Sequence, residues 1–101
     1  MSVKLVIVTT RPSADVPWFT DIEENALRIQ QIQARLESSP GFVSLTTEDV
    51  TPLQRKKTIE FADDVALRTY VLQNEQDVQA RSMYREEYLA KFGCTEDIYL
   101  A

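Results

Sequence analysis

The chain predicts an α+β domain in which four antiparallel strands carry their helices on one face. Three observations point there. The hydrophobic periodicity runs strand, helix, strand, strand, helix, strand. The first strand, Val3 to Thr10, is mostly apolar on both alternating faces, as a central strand covered on two sides would be. Finally, Ser38-Ser39-Pro40-Gly41-Phe42-Val43 takes a long amphipathic helix straight into a strand, so the helix must fold back along the sheet it feeds.

At 101 residues, 44% hydrophobic and 27% charged, the composition fits one globular domain spanning 1–101. A domain this small buries a limited share of its surface, so a strand apolar on both sides calls for a second chain over one of them. Eleven basic against sixteen acidic residues give a net charge of -5, which works against a polyanion, so nucleic acid is not an expected partner. The one dense basic run, Arg55-Lys56-Lys57, reads as a solvated strand edge that discourages edge pairing. A lone cysteine, Cys94, cannot form an internal disulfide, and no charged segment followed by an apolar one opens the chain. A cytoplasmic location is the expectation. No run approaches the ~20 apolar residues of a membrane span.

Along the chain, Val3, Leu5 and Ile7 oppose Lys4, Val6 and Val8 in the first strand, which Pro12 and Pro17 end in a loop. Trp18 and Phe19 stand at the far end of that loop, as a cap on the core or as the rim of a pocket. Thr20-Asp21-Ile22-Glu23 reads as a capping box that starts the first helix. Ile22, Ala26, Ile29, Ile32 and Leu36 then form one buried stripe, with Asn25 inside the same arc and Gln33 near Ala26, so two amides meet the core face. A buried amide must be hydrogen-bonded or cost about 1–3 kcal/mol, so Asn25 meets a neighbour, a water or a ligand.

Phe42 to Thr47 is the second strand, Glu48 to Gln54 a polar connection whose Pro52 bars a regular ladder, and Arg55 to Phe61 the third strand. Asp63 offers an N-cap to a short helix carrying Leu67, Tyr70 and Val71, and a break is expected near Asn74. From Gln76 to Phe92 a further helix stacks Val78, Tyr84, Tyr88, Leu89 and Phe92 on one side, with Arg81 and Arg85 at its margin and Gly93 as C-cap. Cys94 to Ala101 supplies a last strand in need of a neighbour.

This order is the ferredoxin-like split βαβ arrangement. With the Pro40-Gly41-Phe42-Val43 junction, the strand Thr58-Ile59-Glu60-Phe61, the helix start Asp63-Asp64-Val65-Ala66 and a tyrosine-bearing helix before a terminal strand, the chain resembles the dimeric α+β barrel superfamily. That superfamily includes antibiotic-biosynthesis-monooxygenase-like and stress-responsive barrel proteins. The resemblance implies a homodimer whose two sheets pack face to face, hiding Val6 and Val8. It also implies a pocket between sheet and helices, lined in oxygenase members by Asn, Trp, His or Tyr. Haem-dependent members use a histidine, which this chain lacks, and Trp18 precedes the first helix where a catalytic tryptophan would lie on the second.

No Ser-His-Asp set, paired-cysteine motif or glycine-rich phosphate loop is present, and Asp63-Asp64 and Glu86-Glu87 are adjacent pairs that diverge on a helix. Neither metal nor haem is expected as a cofactor. Three readings remain. One is binding or transformation of a small apolar or aromatic molecule, with Trp18, Asn25, Tyr70, Tyr84, Arg85 and Tyr88 as candidate lining. The second is a non-enzymatic homodimeric interaction module whose tyrosines are core. The third is an accessory protein of a virus or environmental microbe with no active site. A cavity of on the order of 300 Å³ or more lined by Asn25 and tyrosine hydroxyls favours the first.

Overall fold

Each apolar period forms the element it calls for. In the computed structural model, which describes residues 1–101, these are β1 (Val3–Thr10), α1 (Glu23–Glu37), β2 (Phe42–Thr51), β3 (Gln54–Phe61), α2 (Asp64–Gln73), α3 (Glu75–Phe92) and β4 (Thr95–Leu100). The strands make one antiparallel sheet in the order β2-β3-β1-β4, so the two strands that precede helices are central. Helices cover the face bearing Val3, Leu5 and Ile7, where Leu36 of α1 and Tyr70 of α2 pack with Ile59 and Phe61. A second cluster, Phe19, Ile29, Tyr88 and Cys94, ties the loop after β1 to α1 and α3. Leu36 and Phe61 are each 1% exposed, worth about 1.5–3 kcal/mol apiece in burial.

The expected caps hold in three places. Asp63 accepts from the Ala66 N–H at 2.7 Å, Asn74 separates α2 from α3, and Gly93 closes α3 at a φ of 69°. Thr20 does not cap α1. That helix begins at Glu23 behind Ile22, while Thr20 lies exposed in a short 3-10 turn, Phe19–Asp21, where Asp21 accepts from the Trp18 N–H at 3.3 Å. Two buried aromatics at Trp18 and Phe19 fix the backbone there, and the tighter turn displaces the capping box.

The connection expected at 48–54 is mostly strand. Residues through Thr51 pair with β3, Asp49 opposite Arg55 in an ion pair of 2.7 Å, leaving only Pro52-Leu53 as the turn. Pro52 sits where no ladder donor is needed, so it does not interrupt pairing. Nor is Arg55-Lys56-Lys57 an edge, because β3 lies between β2 and β1.

On the face without helices, Val6 has Thr58 and Tyr99 as register neighbours and is 2% exposed within a single chain; Val8 is half-buried. The oily outer side is therefore narrower than alternation alone suggests. No helix is long and apolar enough to cross a membrane.

Candidate functional site

Alternation along β3 places Arg55 and Lys57 in the same phase as Ile59 and Phe61, under the helices. Lys57 lies opposite Ile7 on one side and Thr47 on the other. Thr9, 8% exposed, continues the same face of β1 and pairs in register with Glu96 of β4. Above them, Val78, Arg81, Ser82, Arg85 and Leu89 recur at helical spacing and turn one face of α3 toward the sheet. The inner layer thus changes along the strands from apolar to cationic.

Between this layer and the helices lies a cavity of about 350 Å³. Leu5, Ile7, Ile59 and Phe61 form its floor; Leu36, Leu67, Tyr70, Val71 and Val78 its apolar walls; Arg81, Ser82, Arg85, Glu86 and Glu96 its polar end. Arg85 forms an ion pair with Glu96 and donates to the Thr9 hydroxyl at 3.0 Å, and Thr9 donates to Glu96 at 3.3 Å. The side chains of this pair are 14% and 8% exposed, and the buried Arg85 Nε has no partner. Burial first, then repulsion from Arg81 and Arg85, lowers the Lys57 ammonium to about 7. Burial and then Arg85 lower the Arg81 guanidinium as well, and burial raises the Tyr70 hydroxyl.

A smaller pocket of about 70 Å³ adjoins the cavity through the shared Ile7 and Arg85, and Trp18, Thr9, Arg55 and Lys57 line it. The Trp18 ring lies 4.3 Å from the Arg11 guanidinium and 4.6 Å from that of Arg55. Arg11 also donates to the carbonyls of Pro52 and Val16, tying the loop after β1 to the β2-β3 turn.

The six candidate residues are divided among three places. Tyr70 and Arg85 line the main cavity, and Trp18 lines the smaller pocket with Arg85. Asn25, Tyr84 and Tyr88 line a separate cleft of about 170 Å³ between α1 and α3. Within it Tyr88 donates to the Pro17 carbonyl at 2.7 Å and meets Phe19 edge-on at 5.6 Å, which pins the loop to the core. Burial and then a hydrogen bond with Cys94 push the Tyr88 hydroxyl upward. Arg85 is not marginal on α3 but lies beneath it. Lys57, Arg81 and Glu96 join the site without having been singled out for it. The signal for Lys57 was available, since it falls two residues before Ile59 in the same strand phase.

This architecture defines a class by fold: a ferredoxin-like α+β domain with a four-stranded antiparallel sheet and three helices, the fold of several solved proteins. Among solved structures, the chain is similar to SnoaB, a cofactor-independent oxygenase from Streptomyces nogalater. Identity there is 18% and the TM-score 0.60, covering 99% of this chain and 90% of that one. It is also similar to ActVA-Orf6, a monooxygenase from Streptomyces coelicolor in complex with the ligand Nanaomycin D, at 14% identity and TM-score 0.59 over 97% and 84% of the two chains. Rv0793 from Mycobacterium tuberculosis matches at 11% identity and TM-score 0.57 over 98% and 92%. No protein-family model matches the sequence, and no curated protein matches it. The likeness is one of fold: the ferredoxin-like α+β arrangement expected from the sequence is the one these structures share.

Proposed function

We propose that the protein binds a small, mainly apolar or aromatic molecule between the sheet and helices α2 and α3. The observation that carries this reading is the 350 Å³ cavity, which falls in the size range of ligand sites and joins apolar walls to a few convergent polar groups. The Tyr70 ring, 5.7 Å from that of Phe61, supplies an aromatic wall. Two proteins of the same fold support it, one an oxygenase that needs no cofactor and one with Nanaomycin D bound. Transformation of the ligand is the finer reading, and it would use the protein's own side chains without metal or haem.

A thermal-shift series with one-, two- and three-ring aromatic compounds tests it. Saturable stabilisation is expected, about 2.7 kcal/mol at a hundredfold excess over Kd, and should be lost when Leu67→Trp fills the cavity. Stabilisation that survives Leu67→Trp, or is absent throughout, overturns the cavity reading.

The same proposal includes a homodimer formed through the helix-free face. Half-buried Val8 supports it, as do the Tyr99 ring and the unpaired outer edge of β4, where Tyr99 is 47% exposed. Sedimentation at micromolar concentration should show a species twice the 11.6 kDa chain; a single 11.6 kDa species removes the dimer.

A further inference from the structure

Resting on the cavity reading, we infer that the ligand is an organic anion, seated with its rings over Phe61 and Tyr70 and its negatively charged oxygen toward Arg81, Lys57 and Arg85. Arg81 and Arg85 line the polar end and Lys57 lines the adjoining pocket; of the two carboxylates there, Glu96 is paired with Arg85, and Glu86 is exposed and forms no ion pair with any of the three cations. Arg85 already holds Glu96, yet its Nε is buried with no partner. Arg81 faces the cavity with no ion pair or side-chain hydrogen bond, although a guanidinium presents a fork suited to a carboxylate or ionised phenol. Uncompensated charge beneath a helix layer disfavours the empty state, and an anionic oxygen relieves it. In a chain of net charge -5 the local excess is opposite in sign to the whole, so it selects for this end of the ligand and not for a polyanion.

Lys57 makes the preference depend on pH. It faces Arg81 and Arg85 from α3, Glu96 from β4, Glu37 from the end of α1 and Arg55 from its own strand, and with these neighbours it loses its proton near 7. A bound anion raises that value, so binding takes up a proton above neutrality, and affinity is greatest below about pH 7 and falls as pH rises through it.

Calorimetric titration with a matched pair, 2-naphthoate and 2-naphthalenemethanol, tests the inference on the wild-type chain, Arg81→Gln and Lys57→Met. Naphthoate should bind at least about tenfold more tightly than the alcohol, and Arg81→Gln should remove most of that advantage by weakening naphthoate far more than the alcohol. Near pH 8 the heat of naphthoate binding should vary with the ionisation enthalpy of the buffer, and Lys57→Met should abolish this dependence. Equal binding of acid and alcohol, or an acid preference untouched by Arg81→Gln, overturns the anion site and leaves the cavity reading standing. Binding of neither probe overturns both. Unchanged circular dichroism and melting temperature in Arg81→Gln establish that a lost preference is not lost folding.

Discussion

Glu96→Gln should destabilise the protein by about 3–5 kcal/mol, the cost of removing one partner from a buried ion pair. The neighbourhood explains the size of the effect. Glu96 answers Arg85 directly, also faces Lys57 and Arg81, and is 8% exposed, so water cannot replace the lost charge. Urea unfolding measures it, and at roughly 4–8 °C per kcal/mol the melting temperature should fall by more than about 12 °C. A second signature separates this from simple loss of packing. With its one paired carboxylate gone, the polar end should hold 2-naphthoate more tightly than before, and the acid should restore part of the lost stability. A loss below about 1 kcal/mol, the range of exposed ion pairs, would show that Arg85 and Glu96 are solvated in solution.

Gly41→Ala should be comparably damaging, for an unrelated reason. Gly41 has a φ of 81°, and a Cβ built there would stand 2.5 Å from the Cβ of Ala66 in the first turn of α2. The left-handed backbone costs roughly 1–2 kcal/mol and the overlap roughly 1–3 more, so a loss of about 2–5 kcal/mol is expected. Gly93 is the control. Its φ is 69° but no atom lies within 4 Å of the added methyl, so Gly93→Ala should show only the backbone part, about 1–2 kcal/mol. In the Gly41→Ala/Ala66→Gly double variant the steric part should disappear as a coupling energy. Equal losses at Gly41 and Gly93 would mean that α2 does not approach the junction this closely.

Much of the fold was legible because each element announces itself locally. The α1 stripe, the Pro40-Gly41 junction, Asp63, the break at Asn74 and Gly93 are all short-range signals, and each lies where the sequence reading put it. The failures were also local. Thr20 satisfied a pattern whose residues were free to use it, but the burial of Trp18 and Phe19 set the backbone instead. Pro52 forbids a ladder only where a donor is required, and a two-residue turn requires none.

The site was less legible. Tyr70 and Arg85 share a cavity, whereas Asn25, Tyr84 and Tyr88 share a different cleft, although all five lie on the buried or half-buried side of their helices. Helical periodicity shows that a residue faces inward and is silent about which inward-facing neighbour it meets. Lys57 was read as part of a charged surface run because three consecutive cations look solvated; in a central strand every second one turns under the helices.

By itself, then, the sequence determined the order of elements, the caps at Asp63 and Gly93 and the antiparallel α+β arrangement, since these rest largely on interactions among residues near one another in the chain. Which side chains enclose a common space, and that Arg81, Arg85, Glu86 and Glu96 meet at its end with Lys57 beside them, was decided only when β1, β3, β4 and α3 came together. Burial and charge repulsion depend on distances between parts of the chain that the linear order does not contain, and those distances turn a lysine of ordinary appearance into one that titrates near 7.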